Sequence, residues 1–97
     1  MNRKTIIQKI EVNRDSIRRF GVRKLGLFGS HARGQGTRKS DLDFIVEFDV
    51  KSFDAYMDLK FYLEKLFKRP VDLVLSDAIK PRLRPIILKE AVHVPGL

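Results

Sequence analysis

The chain has 97 residues, 43% of them hydrophobic, and no cysteine; this fits one small domain over residues 1–97 and excludes a disulfide framework or a thiolate metal site. Twenty basic side chains against twelve acidic ones give a net charge of +8, which suits a phosphate-bearing ligand, a nucleic acid or an acidic partner, although the basic residues are dispersed as they are when they solvate helix faces. No apolar run approaches membrane-spanning length, and the basic start Met1–Lys4 leads into an amphipathic segment, so a soluble, cytoplasmic protein without a targeting segment or membrane association is expected.

From Arg3 to Phe20 the apolar residues Ile6, Ile10, Ile17 and Phe20 recur at helical spacing with Lys9, Arg14 and Arg18 between them, and Gly21 stands as a stop. This predicts one surface-packed helix. Val22 to Phe28 reads as a first strand, ended by the turn-forming pair Gly29-Ser30, which hands over to a short helix. The loop from Gly34 to Lys39 has two glycines and no large apolar residue, the composition of a mobile segment.

In the next strand, Leu42, Phe44, Val46 and Phe48 form one face while Asp41, Asp43, Ile45 and Glu47 form the other. Ser52 or Asp54 can cap the following helix, whose apolar set Tyr56, Leu59, Leu63, Leu66 and Phe67 forms a stripe to pack on the sheet, and Pro70 stops it. Val71–Leu75 is a third strand with Val71, Leu73 and Leu75 inward and Asp72 on the opposite face. Pro81 breaks the chain, Pro85 fits the first turn of a short helix to Glu90, and Ala91–Val94 is a candidate last strand.

The parity of these strands places Asp41, Asp43 and Asp72 opposite the clean apolar faces, so they can converge on an open side of the sheet. A carboxylate pair at i and i+2 with a third from a neighbouring strand supplies the hard oxygen ligands that Mg²⁺ prefers, enough for two ions, with positions left for water and phosphate. Such a site suits in-line displacement at phosphorus. Gly29 and Ser30 fit a phosphate cradle, since glycine admits close approach and exposed N–H groups favour an anion. Arg33 can offset phosphate charge, or pair with one of the aspartates when no metal is present. His31 and His93, the two histidines, have no companion at metal-ligand spacing and read as surface or packing residues.

Gly29-Ser30-x-Ala32-Arg33-Gly34 followed by Ser40-Asp41-x-Asp43 resembles the signature of the minimal nucleotidyltransferases of the DNA polymerase β-like superfamily, and strand order plus Asp72 extend the likeness over most of the chain. The resemblance implies an α+β fold, a small mixed β-sheet backed by helices. It also implies that Gly29 and Ser30 hold nucleotide phosphates and that Asp41, Asp43 and Asp72 are the catalytic, metal-binding residues. Short members often act as antitoxins beside a HEPN-domain toxin, some by transferring AMP from ATP onto it. The tail Val92-His93-Val94-Pro95-Gly96 departs from the tyrosine-glycine ending of many members.

The leading expectation is therefore Mg²⁺-dependent transfer of a nucleoside monophosphate, AMP from ATP, to a hydroxyl on a partner protein; one small domain offers little surface for orienting an acceptor of its own. The alternative is a non-catalytic antitoxin that occludes a toxin. A nucleic-acid-binding module is disfavoured because no aromatic residues alternate with Arg18-Arg19, Arg23-Lys24, Arg38-Lys39, Lys80, Arg82 and Arg84, and Phe44, Phe48, Tyr62 and Phe67 suit the core better.

Overall fold

In the computed structural model, which describes residues 1–97, helix α1 (Arg3–Val12) is capped by Asn2, whose side chain accepts the Thr5 N–H at 2.9 Å. The single helix expected as far as Phe20 is broken at Asn13, where φ −103° and ψ 15° leave the helical region. The Asn13 amide donates to the Lys9 carbonyl at 2.8 Å, and its Oδ1 accepts from the Tyr62 hydroxyl at 3.1 Å. The side chain thus competes with the helical ladder. A short α2 (Arg14–Arg18) comes next, and Ile6, Ile10 and Ile17 are still all fully buried.

Gly21, at φ 87°, turns the chain into β1 (Val22–Phe28), which runs antiparallel to β2 (Leu42–Phe48). A register irregularity between Val22 and Lys24 lets Val22 and Leu25, an odd number of residues apart, both reach the core. Helix α3 (Phe53–Phe67) is capped by Ser52, which accepts the Ala55 N–H at 3.0 Å. Its buried stripe, Leu59, Leu63 and Phe67, packs in the same core as Leu42, Phe44, Val46 and Phe48 of β2.

The helix ends at Lys68, in the left-handed conformation at φ 55°, two residues before the proline expected to stop it. The α3 crossover returns the chain as β3 (Val71–Leu75), parallel to β2. Two contacts set this strand's place: the Val71 N–H donates to Glu64 Oε2 at 3.1 Å, and the Tyr56 hydroxyl donates to the Leu73 carbonyl at 2.6 Å.

After a 3₁₀ turn at Ser76–Ala78, Pro85 lies in the first turn of α4 (Arg84–Glu90), as the proline spacing predicts, and none of that helix's residues is buried. The last strand is only β4 (Val92–His93), antiparallel to β1, though Val94 beyond it is buried and donates its N–H to the Leu25 carbonyl at 2.9 Å. The sheet order is β3-β2-β1-β4. This is the α+β arrangement, a small mixed sheet backed by helices, that the signature residues led us to expect. No helix is long and apolar enough to cross a membrane.

Candidate active site

Register decides which residues meet. Phe28 pairs with Asp43 across β1 and β2, and Asp43 pairs with Asp72 across β2 and β3, so the Gly29 turn, Asp43 and Asp72 stand side by side at one end of the sheet. Asp41, just ahead of β2, shares the parity of Asp43. All three carboxylates lie on the face away from the core, with Asp41 and Asp72 exposed and Asp43 half-buried. Burial pushes the Asp43 carboxyl up to about 6, the negative charges of Asp72 and then Asp41 add to the shift, and the Arg33 guanidinium works against it.

An all-oxygen set of like charges sharing one field is the donor chemistry that suits Mg²⁺, because a hard cation would relieve the repulsion. The residues present therefore fit the ion. Their side chains are neighbours rather than a closed cage: no group of three His, Cys, Asp or Glu side chains is gathered at ligating distance.

Gly29 has φ 77°, a conformation side chains rarely adopt, and a Cβ there would lie 2.9 Å from Asp43 Cγ and 3.1 Å from its Cβ. Both the backbone and the space demand glycine. The next residues fold into tight turns, with the Arg33 N–H donating to the Gly29 carbonyl at 3.2 Å and the Gln35 N–H to the Ser30 carbonyl at 2.8 Å. The short helix expected here does not form, because Gly34 at φ 77° ends the winding after about one turn.

Glu90, at the end of α4, is the residue that sequence reasoning missed. The Gly29 N–H donates to Glu90 Oε1 at 2.6 Å, and Arg33 Nη1 donates to Glu90 Oε2 at 2.9 Å. Arg33 Nε also donates to Gln35 Oε1 at 3.3 Å. The metal-free partner of Arg33 is thus Glu90 rather than an aspartate. One signal was available: a carboxylate in the last turn of a helix opposes the helix dipole, so its side chain is better used elsewhere.

His31 is a packing residue, only 3% exposed. Its Nε2 lies 3.1 Å from Arg69 Nη1, so it accepts and the proton belongs on Nδ1, which has no partner. Burial and then the Arg69 charge hold its pKa below the usual histidine value. Gly36 lies against the ring, where a Cβ would come within 2.6 Å of Nε2, and Arg69 also reaches the Thr37 carbonyl at 3.4 Å. Thr37 and Ser40 close the turn, with the Ser40 N–H donating to the Thr37 carbonyl at 3.1 Å. The loop read as mobile from its glycines is tethered, and it delivers Asp41 to the site.

His93 is exposed, and its Nδ1 comes within 3.2 Å of where a Gly26 Cβ would stand. It takes no part in the carboxylate cluster. Phe44, Phe48 and Phe67 are buried, and Tyr62 packs against the core with its ring 5.3 Å from that of Phe20, which removes these rings as a stacking surface for nucleobases.

Comparison with known proteins places the chain in a family. Residues 9–94 match the family model described as a nucleotidyltransferase domain. A protein of Thermococcus cleftensis named protein adenylyltransferase MntA is 40% identical over 77 residues, covering 78% of each chain. Among solved structures, one assigned as a minimal nucleotidyltransferase superposes with a TM-score of 0.82 at 34% identity, covering 95% of both chains. A chain from a toxin–antitoxin crystal structure with AMP-PNP gives 0.72 at 27% identity, covering 94% of this chain and 73% of that one. With the Gly29 turn, the carboxylate register and these matches together, the chain belongs to the nucleotidyltransferase domain family.

Proposed function

We propose that this protein, a single cytoplasmic domain over residues 1–97, transfers AMP from ATP to a hydroxyl of a partner protein and acts as the antitoxin of a HEPN-domain toxin. The observation that carries the reading is the Gly29 turn pressed against Asp43 with Asp72 in register beside it. Only glycine lets the turn close against Asp43, and in this reading that closeness sets the turn's N–H groups, which suit a phosphate, beside carboxylates that suit the cation accompanying it. The name of the Thermococcus relative and the AMP-PNP toxin–antitoxin structure support adenylyl transfer and a toxin as the partner.

In this reading Gly29, Ser30 and Arg33 bind the triphosphate, and Asp41, Asp43 and Asp72 hold Mg²⁺. Bound there, the ion neutralises the charge that develops on the phosphate oxygens. The acceptor hydroxyl oxygen attacks the α-phosphorus, the bond to the bridging oxygen of pyrophosphate breaks, and the hydroxyl proton passes to Asp72, the exposed carboxylate at the edge of the cluster. The partner supplies the acceptor, since residues 1–97 form one small sheet-and-helix unit with little surface to orient a hydroxyl of its own.

ATP labelled at the α-phosphate, incubated with Mg²⁺, this protein and a HEPN partner, is expected to label the partner, whereas ATP labelled at the γ-phosphate is not. Asp72→Asn is expected to keep MgATP binding and lose transfer. A stable complex whose partner stays unlabelled would instead indicate neutralisation by occlusion.

A further inference from the structure

Glu90 borders this same site, and the role inferred for it rests on the reading of that site as one for a nucleotide. Both donors assigned to phosphate, the Gly29 N–H and the Arg33 guanidinium, are taken by the two oxygens of its carboxylate. An oxyanion whose two oxygens each meet one donor of a glycine turn and an arginine reproduces the contacts of a phosphate group. The Gly29 N–H has a single proton, so Glu90 and a phosphate oxygen cannot both hold it at full strength. We propose that Glu90 is an internal stand-in for the nucleotide's phosphate: it fills the cradle in the nucleotide-free protein, leaves when ATP binds, and so sets the site's affinity.

Three features make the exchange feasible. Helix α4 buries none of its residues, and Ile86 is 62% exposed, so little packing resists its displacement. Directly after Glu90 the backbone turns extended at Ala91, with φ −65° and ψ 136°, which gives the helix end a pivot ahead of β4. Glu90 is also a fourth carboxylate beside Asp41, Asp43 and Asp72, adding to the field that raises the Asp43 pKa; an arriving triphosphate repels it further. Affinity lost to a closed latch equals the reciprocal of the open fraction, so a latch closed about nine-tenths of the time weakens binding about tenfold.

The test is calorimetric titration of MgATP into the full chain and its Glu90→Gln variant, with the Gly29 amide followed by NMR. Glu90→Gln removes the charge and keeps the shape. The proposal expects MgATP to bind the variant about tenfold more tightly. It also expects the Gly29 amide resonance of the wild-type protein to shift on ATP addition, and exchange of the Ala91 N–H, which bonds the Ile87 carbonyl, to quicken. The wild-type readouts hold even where the variant folds poorly.

Equal or weaker binding by a folded Glu90→Gln protein, with wild type binding normally, would overturn the latch and leave the nucleotide site standing, Glu90 then being a positioning residue for the turn. Absence of ATP binding by both proteins would overturn the nucleotide site and the latch with it.

Discussion

The two faces of β2 do opposite work with the same backbone. On one face Leu42, Phe44, Val46 and Phe48 are all buried beneath α1 and α3; on the other, Asp41, Asp43 and Glu47 are exposed or half-buried and only Ile45 is closed over. Apolar burial on the first face holds together an arrangement that the second face disfavours, since Asp43, Asp72 and Asp41 repel one another while no cation is present. Stability and chemistry are therefore separable by face, and substitutions on the two sides of one strand should behave in opposite ways.

Phe44→Ala is the largest test of the buried face. The ring is fully buried and packs 5.9 Å, centroid to centroid, from Phe67, so its loss should cost about 3–5 kcal/mol. Chemical denaturation is expected to show that drop, with activity lost only in proportion to unfolding. A small change would mean that the core repacks freely.

Asp43→Asn tests the open face and should reverse that pattern. Transfer is expected to fall at least about a thousandfold, equivalent to about 4 kcal/mol. The fold raises the Asp43 pKa to about 6, above the unfolded value near 4, so ionised Asp43 opposes folding. Its contribution is most favourable below about pH 4 and is lost as pH rises through about 6. At pH 7 the neutral amide should therefore stabilise the metal-free protein, by about 1 kcal/mol once solvent screening is allowed for. A lowered melting temperature would show that the carboxylate is structural.

Gly29→Val places a branched side chain at positive φ against Asp43 and should both destabilise the fold, by about 2 kcal/mol or more, and block ATP binding. Ser30→Ala leaves the turn's N–H groups in place and should weaken ATP binding only a few-fold. Equal, near-normal affinities in the two variants, measured by calorimetry with Mg²⁺, would show that the turn is not the phosphate cradle.

The smallest effect is a pH dependence carried by His31. The fold lowers its pKa through burial and the Arg69 charge, so its stabilising contribution is complete above about pH 6.5 and declines as pH falls through that value towards the lowered one. Thermal melts of His31→Gln and wild type between pH 7.5 and 5 (roughly the histidine range) should converge on acidification. Parallel curves would remove His31 as the acid-sensitive tether of the loop.

Most of the fold was legible because period-two and 3.6-residue patterns are written locally. Phe44 and its neighbours faced the core as their spacing required, and Ser52 and Pro85 marked helix starts by chemistry that needs no distant partner. The break at Asn13 was not legible, because the Tyr62 hydroxyl that holds its side chain is far away in sequence.

At the site, strand pleating and glycine's freedom are properties of the local chain, so the shared face of Asp41 and Asp43 and the turn at Gly29-Ser30 could be read from the residues alone. The pairing of Asp72 with Asp43, the reach of Arg69 to His31 and the hold of Glu90 on the Gly29 N–H and Arg33 emerge from the folded chain alone. Those meetings depend on strand register and on the α3 and α4 connections, and register is set by how the whole buried face fits together rather than by any residue near the site.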